Sequence, residues 1–92
     1  MFVRLFLKSD QHLYTYEDVN LVYLGRHKFP SGKDRRCLTL VLDGGTTVNF
    51  AFSEVGDLIV ENYLDERHPY NDDAKIIFVE DGQPFEKRYT NG

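Results

Sequence analysis

Thiol catalysis needs a base beside the sulfur, so the spacing of Cys37 and His27 comes first. If the loop between two consecutive strands centres on Gly32, a hairpin sets His27 directly across from Cys37 on one sheet face. An imidazole there could lower the thiol's pKa and create a nucleophile. A Cys–His–Asn protease, however, requires the imidazole between the other two groups, because it accepts from one and donates to the other. Here Cys37 would occupy the middle strand, with His27 on one side and the Thr39–Asn49 neighbourhood on the other. That order is wrong for catalysis. Two such groups also fall short of a zinc site, which takes three or four protein ligands. The expectation is a cross-strand pair without special chemistry.

The stretch His68-Pro69-Tyr70-Asn71-Asp72-Asp73 gathers a histidine and two carboxylates. It lacks the alternating oxygen ligands and the bend glycine of a calcium loop, and reads as a polar turn. Gly44-Gly45 joins two strands, and no helix N-terminus follows it to receive a phosphate. No glycine-rich nucleotide fingerprint, nucleophile elbow or paired-histidine helix motif occurs in the chain. The sequence therefore predicts no enzyme, no cofactor and no metal.

The elements that would position these residues are clearer than the chemistry. Leu38, Leu40 and Leu42 alternate with Cys37, Thr39 and Val41, and Val48, Phe50 and Phe52 alternate with Thr47, Asn49 and Ala51. A two-residue turn at Gly44-Gly45 would set Leu40 opposite Asn49 and mix apolar with polar on both faces. A three-residue loop, Asp43-Gly44-Gly45 with Gly45 left-handed, sets Leu40 opposite Val48 and Leu38 opposite Phe50. The second register separates a buried face from an outer one.

Further strands are expected at Phe2–Lys8, about Leu21–Lys28, Ala74–Glu80 and near Pro84–Tyr89, with turns at Pro30-Ser31-Gly32-Lys33-Asp34 and Asp81-Gly82. Ser9–Asp18 fits either a capped helical turn or a strand carrying Leu13, Tyr14 and Tyr16. From Ser53 to about Asp65 the spacing predicts a helix, because Val55, Ile59 and Tyr63 fall on one side and Glu54, Asp57, Glu61 and Asp65 on the other. Gly56 would mark close approach of that helix to the sheet. The expected fold is a single α+β domain over residues 1–92. It is a curved, mainly antiparallel sheet of five or six strands with one amphipathic helix packed on one face.

With 41% apolar and 28% charged residues, the chain reads as soluble and globular. The apolar run Phe2–Leu7 contains Arg4 and is too short for a signal-peptide core or a membrane span. One cysteine allows no internal disulfide, which points to a reducing, cytoplasmic compartment. Charge is uneven. Residues 1–52 carry seven Lys and Arg against five Asp and Glu; residues 53–92 carry four against ten. A hairpin tip with Arg26, Lys28, Lys33, Arg35 and Arg36 could contact nucleic acid. The acidic helix side, Glu54, Asp57, Glu61 and Asp65, could imitate a phosphate backbone and fit a basic surface on another protein. Leu21, Tyr23 and Val41 fall on the outer sheet face, which one helix cannot also cover; they suit a protein interface or closure into a small barrel. The expected function is non-catalytic protein binding, as a small adaptor or inhibitor that occludes a partner. Size and charge fit an accessory protein of a phage or mobile element that inhibits a host defence nuclease. A nucleic-acid-binding module and a homo-oligomer such as a homodimer are the alternatives.

Overall fold

The segment expected to be a helix is extended. In the computed structural model, which describes residues 1–28, 30–32, 34–66, 76–80 and 86–90, the chain makes nine strands and no α-helix among those residues. They are β1 (Phe2–Leu7), β2 (His12–Tyr16), β3 (Val19–Lys28), β4 (Asp34–Leu42), β5 (Thr47–Ala51), β6 (Val55–Glu61), β7 (Tyr63–Glu66), β8 (Ile76–Glu80) and β9 (Glu86–Thr90). A 3-10 turn, Phe52–Glu54, precedes β6. The strands form two antiparallel sheets, one ordered β2-β1-β6-β9 and the other β5-β4-β3-β8-β7. The α+β expectation is therefore wrong, and the fold is a two-layer β structure.

The physical reason lies in Leu58 and Val60. A helix that buries Val55, Ile59 and Tyr63 leaves Leu58 near its acidic side. A strand period of two places Leu58 and Val60 inward together, where they are 3% and 0% exposed, while Asp57, Ile59 and Glu61 face out. β-Branched Val55, Ile59 and Val60 also favour extended backbone. Gly56 is the extra residue of a bulge between Phe6↔Asp57 and Leu7↔Val55. A Cβ there would lie 3.1 Å from Phe6 Cδ1, so the close approach is real but is made to a strand. Asn62, at φ 58°, ends β6 and turns the chain into β7 of the other sheet. Asparagine tolerates that left-handed conformation better than most residues.

The hairpin register read from the sequence holds. Leu38 faces Phe50 and Leu40 faces Val48. Leu42 N–H donates to Thr46 O at 2.7 Å and Gly45 N–H to Leu42 O at 3.0 Å, which encloses Asp43-Gly44-Gly45 as a three-residue loop. Gly44 and Gly45 both have positive φ, 86° and 89°, so the loop uses two left-handed residues and not Gly45 alone.

Ser9–Asp18 resolves as strand: β2 pairs with β1, putting Tyr14 beside Leu5 and Tyr16 beside Val3. The core lies between the layers, with Val3, Leu5, Leu58 and Val60 facing Val22, Leu38, Leu40 and Phe78. Tyr14 and Tyr16 reach across to Phe50, at ring centroid separations of 6.1 and 6.4 Å. Met1 and Val19 exchange backbone hydrogen bonds, which joins the layers at one end. The second layer, not barrel closure or a helix, covers the inner sheet face. No helix among the described residues is long and apolar enough to cross a membrane.

Candidate binding surfaces

On the outer face of the five-stranded sheet, register aligns side chains into rows across the strands. Leu64 of β7 pairs with Val79 of β8, Val79 with Leu21 of β3, and Leu21 with Val41 of β4. The adjacent row runs from Ile77 through Tyr23 and Thr39 to Asn49. Leu21, Tyr23 and Val41 thus share the face the sequence assigned them, and all three are half-buried. Leu64 is 45% exposed at the sheet edge. Thr39 is buried at the middle, and its hydroxyl donates to Asn49 Oδ1 at 2.6 Å. Val79 and Leu64 were not named as site residues from sequence. Strand order was needed to seat Val79 beside Leu21, and Leu64 had been given to a helix.

The basic hairpin is a ribbon. Beyond Leu24, where β8 stops pairing, and before Cys37, where β5 begins, β3 and β4 pair only with each other among the described residues. Arg26 lies directly opposite Arg36, and both are exposed. Like charges in this relation repel. Among the described residues neither has a carboxylate partner; the Arg36 guanidinium lies over the Phe52 ring, 4.9 Å from its centroid. Arg35 is exposed on the opposite side of the ribbon, and Lys28 is its last β3 residue. Lys33 lies outside the described residues, as do the loop 68–73 and the turn at Asp81-Gly82.

Between the sheets, at the root of this ribbon, an apolar cavity of about 200 Å³ is walled by Leu24, Leu38, Phe78, Leu58 and Tyr89. Arg36 and Phe52 stand at its rim and also line an open cleft of about 390 Å³ with Arg35 and Ser53. The sequence named Arg35 and Arg36, but gave no signal for Phe52, because the 3-10 turn that carries it had been read as a helix start.

The acidic stripe does not exist as a helix face. Glu54 belongs to the 3-10 turn, Asp57 and Glu61 to β6, and Asp65 to β7 in the other sheet. Asp57 Oδ2 accepts from Arg88 Nη2 at 2.7 Å, and Glu61 Oε1 from Arg4 Nη2 at 2.8 Å. The Arg88 hydrogen bond holds the Asp57 carboxyl below its ordinary range. These carboxylates anchor neighbouring strands of one sheet and form no regular array for a basic partner.

The thiol–imidazole expectation also fails. The register sets Cys37 opposite Gly25 and His27 opposite Arg35, two residues away. The hairpin loop is offset from Gly32, and Cys37 is buried. Among the described residues no three His, Cys, Asp or Glu groups gather to hold a metal ion. No family model, curated protein or solved structure matches this chain.

Proposed function

We propose that this protein is a non-catalytic binding module, an adaptor or inhibitor that occludes a partner protein through the outer face of its five-stranded sheet. The apolar row Leu64-Val79-Leu21-Val41 carries the reading. Tyr23 stands beside it, and an aromatic among aliphatics is the composition of an interface centre. Covering this face breaks no hydrogen bond at its middle, because the Thr39 hydroxyl already has its acceptor. The partner's contact patch is apolar. The basic partner inferred from the acidic stripe loses its basis, because Asp57 and Glu61 are each held by an arginine. A buried, unpaired Cys37 suits a reducing, cytoplasmic setting.

The test is site-specific photo-crosslinking in cells, with benzoylphenylalanine placed at Tyr23 or, as control, at Thr15 on the outer face of the other sheet. We expect crosslinks to one distinct protein from position 23 alone, lost when Leu21 and Val41 are both changed to Lys. Equal crosslinking from both positions, none from 23, or only a doubled mass of this chain would overturn the proposal. The last result would establish self-association.

The projecting ribbon supports a second reading, nucleic-acid binding through Arg26, Arg35 and Arg36. The acidic second half of the chain opposes it, so affinity at physiological salt should be no tighter than roughly micromolar. An anisotropy titration with labelled DNA and RNA decides this. Salt-sensitive binding well below micromolar, lost in the Arg35→Ala, Arg36→Ala variant, would put this reading first.

A further inference from the structure

We infer that the cavity at the root of the ribbon is a binding site for a small amphiphile: a ring-sized apolar body with one anionic group, such as an aryl carboxylate. The inference is independent of the protein-docking proposal, because the cavity opens between the sheets and not on the outer face.

Three observations carry it. First, the volume fits. An apolar protein cavity of about 150 Å³ stays dry and accepts benzene; this one is about 200 Å³, room for a ring with a short substituent. Leu24, Leu38, Leu58 and Phe78 line it and are each at most 8% exposed, so the pocket is open at its mouth and reaches into the core at its floor. Its walls are apolar apart from the Tyr89 hydroxyl, so a water molecule finds few partners and a nucleobase would leave most of its polar edge unpaired.

Second, the charge at the mouth is uncompensated. Arg36 lines the cavity, Arg26 is its cross-strand partner, and among the described residues neither meets a carboxylate. Two opposed guanidinium groups become favourable neighbours when one anion sits between them, and guanidinium geometry suits a carboxylate in particular.

Third, the apolar and polar spaces adjoin. Arg36 and Phe52 line both the cavity and the open cleft that includes Ser53. A ligand can therefore seat its ring inside and leave its anionic end in the cleft, against Arg36. Stacking of Arg36 on Phe52 holds the guanidinium at that boundary.

The experiment is an NMR titration of the full chain with 3-phenylpropionate, followed on the methyl groups of Leu24, Leu38 and Leu58. The neutral isostere 3-phenylpropionamide and propionate without the ring run in parallel. We expect saturable shifts of all three leucines at submillimolar 3-phenylpropionate, binding at least tenfold weaker for the amide, and no cavity shifts with propionate. Arg36→Gln alters an exposed side chain and should remove the tenfold preference, so that acid and amide then bind with the same affinity. Leu24→Phe should abolish the shifts of both aromatic ligands by filling the space. If the second variant misfolds, the Arg36→Gln comparison still decides. Unmoved leucine methyls, equal affinity for acid and amide, or a carboxylate preference surviving Arg36→Gln would each overturn the inference.

Discussion

Asn62 separates the strand–corner–strand path from a helix by the sign of a stability change. Its φ of 58° lies in the left-handed region. Among the described residues its side chain makes no hydrogen bond, so replacing it tests backbone preference almost alone. In that conformation alanine is disfavoured by about 1–2 kcal/mol, and glycine is not. Glycine gives back roughly 0.5–1 kcal/mol through the greater freedom of the unfolded chain. Toward the middle of both ranges, Asn62→Ala is less stable than Asn62→Gly by about 0.5–1 kcal/mol. Because 1 kcal/mol moves Tm by about 4–8 °C in a domain of this size, the alanine variant should melt about 2–8 °C lower. Inside a helix the order reverses, since glycine there is about 1 kcal/mol worse than alanine. Urea and thermal unfolding of both variants, followed by circular dichroism, make the comparison. An alanine variant as stable as the glycine variant, or more so, would refute the corner and with it the two-sheet path of residues 55–66.

Gly44→Ala and Gly45→Ala should each lower stability by about 1 kcal/mol in urea melts, since both positions have positive φ; a loss confined to Gly45 would contradict the loop geometry. Because Arg88 holds the folded Asp57 carboxyl below its unfolded value of about 3.9, the pair stabilises above that pH and the benefit is lost as pH falls through the folded value. Urea midpoints should therefore decline below about pH 4, and Asp57→Asn should flatten part of that decline. Cys37 should react with a thiol reagent at least about a hundredfold more slowly in the native protein than in guanidinium, at a rate that tracks opening of the fold; fast native reaction would show that it is not buried.

Legibility in the sequence followed the range of the interactions involved. The Leu38–Phe50 hairpin could be read because both strands and the loop lie within fifteen consecutive residues, and a one-residue slip would have put Asn49 in the core. The outer position of Leu21, Tyr23 and Val41 followed from the same alternation. Residues 53–65 could not be read with equal confidence from local pattern. Val55, Ile59 and Tyr63 recur at a spacing of four, which suits a helix, whereas in the strand the bulge at Gly56 turns Val55 inward and Ile59 outward. Only the burial of Leu58 and Val60 against β1 decides between the two, and β1 lies at the far end of the sequence. The cavity was beyond reach for a related reason. Its walls come from five strands, and no local period announces which leucines will meet. The offset of Cys37 from His27 came from the hairpin loop, which centres on Ser31 and not Gly32, a difference of one residue that moves every cross-strand partner by two.

The pairing of β1 with β6 has a consequence for synthesis. Phe2 meets Glu61 and Val3 meets Val60, whereas β3, β4 and β5 each pair with a strand adjacent in sequence. As the chain leaves the ribosome, the β3–β4–β5 meander can close early, while β1 and β2 wait as a hairpin whose inner face carries Val3, Leu5, Tyr14 and Tyr16. The free edge of β1 stays open until residue 61 has emerged. Long-range pairing of this kind slows folding and leaves an apolar edge available to other chains in the interval. A transcript truncated before β6 would yield a product with a formed hairpin and no strand to cap it, an open apolar edge of the kind that favours self-association.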